Sequence, residues 1–115
     1  MFSSDSHLIV YGSLAPGGPN HHLIAAIHGS WDEGWVTGDL VATGWGADIG
    51  FPALQWSPDG SRVPAWLLRS DELKDWWDRI DALEGSEYRR IRVPFHTDDG
   101  VIAMGYLYAA GSSSA

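Results

Sequence analysis

Leu8-Ile9-Val10-Tyr11-Gly12-Ser13-Leu14-Ala15-Pro16-Gly17-Gly18-Pro19-Asn20 is the stretch from which the fold is read. Its first residues form a short apolar run rich in β-branched side chains, the pattern of a buried strand. The run breaks at Gly12 and again through Pro16-Gly17-Gly18-Pro19, which neither a helix nor a strand interior tolerates. Asn20 then stands as an N-cap before Leu23, Ile24 and Ile27 at helical spacing, so the spacing predicts a strand, a Gly-rich turn and a helix. Such a turn is either a plain connection or a nest of backbone N–H groups suited to an anionic or carbonyl oxygen. It is not a Walker loop, since no Lys-Ser/Thr follows, and it lacks the three-glycine dinucleotide spacing.

Working outward, the short helix runs from about Asn20 to His28 and is closed by Gly29 as a left-handed cap. Trp31 to Trp35 reads as an irregular approach, Val36 to Thr43 as a strand, and Gly44-Trp45-Gly46 as a bend. Ile49 to Trp56 is extended, with Pro52 at an edge or bulge. Ser57-Pro58-Asp59-Gly60 is a turn before a strand at Val63 to Arg69. The strongest helix signal spans Asp71 to Glu84. Leu73, Trp76, Trp77, Ile80 and Leu83 share one face, while Lys74, Asp75, Asp78, Arg79 and Asp81 face water. Ser70 caps its start and Gly85 ends it. Tyr88 to Thr97 and Val101 to Ala109 form a hairpin across Asp98-Asp99-Gly100, with Ile91, Val93 and Phe95 on one face. These pieces predict one α+β domain over residues 7–110, with about six short strands and two helices in either a strongly curved sheet or a barrel. Residues 1–6 are expected to be a flexible N-terminus and 111–115 a disordered tail. There is no internal repeat and no linker.

Composition narrows the classes of function. The 115 residues suit a single domain, and 44% hydrophobic content with seven Trp belongs to a globular chain. A net charge of −8 opposes a nucleic-acid or anionic-membrane partner. Without cysteine there is no disulfide, thiolate nucleophile or Cys-based metal site. No apolar run reaches membrane-spanning length and Met1 to His7 lacks a leader pattern, so the expectation is a soluble cytoplasmic protein with no obligate protein partner. His7, His21, His22, His28 and His96 are scattered without a third ligand at metal spacing, so no metal site is expected.

Glu84 is the residue out of place. It sits in the last turn of the good helix, where the negative end of the dipole disfavours a carboxylate by a few tenths to about one kcal/mol. Partial burial beside Leu83 would raise its pKa further. It is either an exposed residue at a fraying end or a site carboxyl. Asp81, Glu84 and Glu87 also suggest a glycosidase pair, but Asp81 and Glu84 are neighbours on one helix surface. Arg90 and Arg92 share a strand face that is more often simply solvated. Ser13 has no Ser-His-Asp context.

Tyr11-Gly12-Ser13-Leu14 after an apolar strand, followed by Leu83-Glu84-Gly85 and Tyr88-Arg89-Arg90, resembles the γ-glutamylcyclotransferase-like family. The likeness extends from about His7 to Ala109, with Gly17 to His21, Phe51-Pro52-Ala53-Leu54 and Gly105-Tyr106-Leu107-Tyr108 in matching order. It implies a small mixed β-barrel of about six strands flanked by two helices, with a pocket at one end, Glu84 as general acid/base, and Tyr11, Gly12, Ser13 and Leu14 holding the substrate, with Tyr88 as a pocket residue. The activity implied is cyclisation of a γ-glutamyl amine or amino acid to 5-oxoproline, with no cofactor. Val63-Pro64-Ala65-Trp66 departs from the Val-x-Gly-Glu of many relatives, which bears on substrate identity. The alternative is a non-catalytic pocket protein that binds a small carboxylate-bearing metabolite with the same loop.

Overall fold

Strand pairing closes the chain on itself. The computed structural model describes residues 6–12, 14–18, 21–41, 53–84 and 88–110, without the side chain of Glu84. β1 (His7–Val10) lies antiparallel to β4 (Ser61–Arg69), with His7 opposite Arg69 and Val10 opposite Trp66. Its other edge runs parallel to β6 (Gly100–Ala110), with Leu8 opposite Tyr106. β4 pairs with β2 (Ser30–Val41), β2 with β3 (Ala53–Trp56), and β3 returns to β6 in parallel at Leu54 and Ala109. The ring β1-β4-β2-β3-β6 is therefore a closed barrel of five strands. β5 (Tyr88–Thr97) adds a sixth, paired along β6 and touching β2 where Trp35 meets His96. Closure removes the unpaired edges that a small open sheet would expose.

Alternation along the strands sorts the apolar residues into two compartments. Ile9, Val36, Leu54, Val63, Ala65, Leu67, Val93, Phe95, Leu107 and Ala109 fill the barrel. Their neighbours Leu8, Val10, Leu68 and Tyr108 point outward and meet Leu73, Trp77 and Ile80 in a second core. Each fully buried Leu or Ile contributes about 1.5–3 kcal/mol relative to exposure. That is why the outward face needs a helical cover.

The small mixed barrel is as expected, but only one α-helix flanks it. The expected helix at 20–28 is a 3-10 turn at His21–Leu23 continued by looser turns. Hydrogen bonds His21 N–H to Gly18 O, Ile24 N–H to His21 O and Ile27 N–H to Ile24 O repeat every third residue. A period of three brings Ile24 and Ile27 to the same side, where both are buried. Gly29 does not take a left-handed φ. Instead a β-carbon there would lie 2.2 Å from the Arg69 carbonyl, so this glycine permits close passage of β4.

Trp31 to Trp35 is not irregular. β2 begins at Ser30, six residues before the expected start at Val36. Its inward positions break the apolar alternation: Asp32 pairs with Arg69 Nε at 3.1 Å, and Gly34 makes room for the Phe95 ring. The expected single helix at 71–84 divides into a 3-10 turn at Asp71–Asp75 and α1 (Trp77–Glu84), joined at Trp76. Ser70 caps it as expected, accepting from Glu72 N–H at 3.1 Å, and its hydroxyl donates to the His28 carbonyl. The Asn20 cap, the Gly44-Trp45-Gly46 bend, the Ile49 to Pro52 part of the extended segment, the Gly85 stop, residues 1–5 and the 111–115 tail lie outside the described residues.

Candidate active site

Strand direction decides which loops meet. β1 and β6 run parallel, so the turn leaving β1 at Tyr11 and the end of β6 lie at one mouth of the barrel. β5 runs antiparallel to β6 with Tyr88 opposite Ala110, so the start of β5, four residues after the end of α1, lies at the same mouth. Topology thus brings the Tyr11 turn together with the start of β5.

Tyr11 points into the barrel end and packs against its core. Its hydroxyl donates to the Tyr108 carbonyl at 2.7 Å and accepts from Leu54 N–H at 2.8 Å. Among the described residues β3 and β6 pair at one position, Leu54 with Ala109. The phenol bridges the two strands beside that pair. After Tyr11 the chain turns, with Ala15 N–H donating to Gly12 O at 3.0 Å. Among the described residues no acceptor takes the N–H of Gly12 or Leu14. Leu14 is buried in the outer core with Ile80 and Tyr108. Its carbonyl accepts from His21 Nδ1 at 2.9 Å, fixing the far side of the turn. Ser13 lies outside the described residues.

Glu84 is the last residue of α1, and its side chain lies outside the description. In sequence it follows Ile80 by four residues and Asp81 by three. Leu83 and Tyr88, both half-buried, pack against the same outer core as Leu14. The segments before and after Glu84 therefore share a core with the turn after β1.

Asp81 was expected to face water, and the structure corrects this. It is only partly exposed, and its Oδ1 accepts the Tyr108 hydroxyl. Arg90 Nε approaches the same oxygen at 3.5 Å, while its guanidinium lies 4.7 Å from the Trp77 ring centre and 5.2 Å from that of Tyr106. Arg90 is thus held between aromatic faces and a carboxylate rather than simply solvated. The available signal was Asp81 itself, four residues after buried Trp77 and so at the border of the apolar stripe. Among the described residues, no group of three His, Cys, Asp or Glu could hold a metal ion, and no helix is long and apolar enough to cross a membrane.

The described residues form a small closed mixed barrel whose mouth gathers the turn after β1 and the start of β5. Residues 8–115 match the family described as gamma-glutamyl cyclotransferase, AIG2-like, and the chain belongs to that family. No curated protein matches the sequence. Among solved structures, an AIG2-like protein from Mus musculus is similar in fold, with a TM-score of 0.68 and 22% identity, covering 96% of this chain and 78% of that one. YkqA from Bacillus subtilis superposes with a TM-score of 0.68 at 24% identity over 91% of this chain and 35% of its own. This chain thus spans about a third of YkqA.

Proposed function

We propose that this chain cyclises a γ-glutamyl amine or γ-glutamyl amino acid to 5-oxoproline, releasing the amine, with Glu84 as general acid/base. One observation supports this most: the parallel β1–β6 and antiparallel β5–β6 registers bring the Tyr11 turn and the start of β5, four residues after Glu84, to one barrel mouth. Neither segment could perform the chemistry alone.

The substrate carries its own nucleophile. Its α-amino nitrogen attacks the γ-carbonyl carbon, a C–N bond closes the five-membered lactam, and the original amide C–N bond breaks. Attack within one molecule leaves the protein chiefly to hold a folded near-attack geometry. Two protons leave the α-ammonium and two arrive on the departing amine. A carboxylate that accepts and redelivers each in turn ends the cycle ionised, as it began. In this reading the N–H groups of Gly12, Ser13 and Leu14 hold the substrate carboxylate or the developing oxyanion, and Tyr88 walls the pocket. Neither a covalent intermediate nor a nucleotide enters the scheme. The reaction takes place in the cytoplasm.

The test is one variant measured twice. Glu84→Gln keeps the shape but cannot carry a proton, so 5-oxoproline release from a panel of γ-glutamyl amides and amino acids should fall at least about a hundredfold. Its thermal melt should hold or improve by a few tenths of a kcal/mol, since a charge leaves the wrong end of a helix dipole. Undiminished turnover would remove Glu84 from the mechanism. Saturable binding of the panel without any product from the unaltered chain would make it a binding protein instead.

A further inference from the structure

We infer that Tyr108 is a positioning residue for Glu84, tying the last turn of α1 to the substrate-holding turn after β1; the inference rests on the acid/base reading of Glu84. Tyr108 is held from both segments. Its main-chain carbonyl accepts the Tyr11 hydroxyl, and its own hydroxyl donates to Asp81 Oδ1, one helical turn before Glu84. Its strand partner in β5, Arg90, reaches the same Asp81 oxygen, so the carboxylate is gripped from two adjacent strands.

Packing alone does not explain the hydroxyl. Tyr108 is 6% exposed in an apolar cluster, where Phe or Leu would fill space without a polar group to satisfy. α1 has only eight residues and no basic residue in its last turn to meet the free carbonyls. So short a helix frays readily unless tertiary contacts hold it. An apolar stripe resists separation from the barrel but permits small rotation and sliding. A hydrogen bond to a carboxylate is directional and fixes both. Catalysis by a single carboxyl serving two nitrogens in turn is sensitive to such displacement.

Tyr108→Phe in the full chain tests this, with Asp81→Ala and Asp81→Asn beside it. Amide hydrogen exchange at residues 81–84 should quicken about tenfold or more in Tyr108→Phe and Asp81→Ala, while barrel amides such as those of Leu67 and Val93 keep their protection. The kcat for 5-oxoproline release should fall about tenfold or more with KM little changed. Asp81→Asn, which retains an acceptor oxygen for the Tyr108 hydroxyl, should recover most of both losses. Unaltered kcat in Tyr108→Phe alongside an inactive Glu84→Gln would overturn the inference. So would exchange that quickens equally in helix and barrel, since that marks general destabilisation. Normal turnover in Glu84→Gln, or no product from any γ-glutamyl compound, would instead sink the underlying reading. The exchange pattern at 81–84 would still decide whether the tie exists.

Discussion

At Gly12 a β-carbon would meet nothing within 4 Å, and the backbone is not in the left-handed region that Gly17 occupies at φ 85°. Nothing in the described structure requires this glycine. At Gly34, by contrast, a β-carbon would come within 2.1 Å of the His96 carbonyl and 2.8 Å of the Phe95 ring. The two look alike in sequence, but the fold uses Gly34 and leaves Gly12 to whatever approaches from outside. Gly12→Val should therefore leave the thermal melt within about 0.5 kcal/mol of the parent. It should nonetheless weaken binding of γ-glutamyl compounds severalfold in a titration, because the new side chain intrudes where ligand would meet backbone. Undisturbed binding would count against the turn as the substrate cradle.

Between Ser70 and Glu84 the apolar stripe was readable because helical spacing survives both kinds of helix. Leu73, Trp77 and Ile80 are buried as their positions imply. The break at Trp76 was not readable, since it depends on how the 3-10 turn seats against residues near His28. The Glu72 carboxylate accepts from His28 N–H at 3.0 Å and from His28 Nδ1 at 3.2 Å. The backbone N–H of His28 is the main cause that holds the Glu72 pKa below its usual 4.5; desolvation opposes it next, and the hydrogen bond and charge of the imidazole add to the lowering. A carboxyl with a lowered folded-state pKa contributes stability above the unfolded value and loses it as pH falls through the folded one. Glu72→Gln should therefore melt below the parent at neutral pH. The gap should close as pH drops from 4.5 through the lowered value. A gap of constant size across that range would show that the carboxylate's charge plays no part in clasping the two segments.

Across the whole molecule, closure depends on joining β3 to β6, a seam with a single paired position among the described residues. The Tyr11 hydroxyl spans that seam through Leu54 N–H and the Tyr108 carbonyl. Tyr11→Phe keeps the ring but removes both bonds. It should cost about 1–3 kcal/mol in denaturant unfolding, the penalty for buried groups left without their partner. Because β3 is the strand most dependent on this link, its amides should lose exchange protection before those of the long β2–β4 ladder. Equal stability of Tyr11→Phe and the parent would mean that the barrel closes without the phenol.

What the sequence by itself determined is whatever repeats locally: the strand–turn opening at Leu8 to Gly12, the Ser70 cap, the apolar stripe to Leu83 and the Asp98-Asp99-Gly100 hairpin. Each depends on spacing within a few residues, and spacing is printed in the chain. What only the tertiary structure decided is whatever depends on a distant partner. The inward face of β2 at Asp32 and Gly34 has no apolar signal, because one residue answers Arg69 and the other yields to Phe95. The Asp81 carboxylate looks like one more solvated helix charge until β6 brings Tyr108 beneath it. Residues Tyr11 and Tyr108 stand 97 positions apart. Only barrel closure, driven by burial of two apolar compartments and by strand pairing around the ring, sets them within a hydrogen bond of one another.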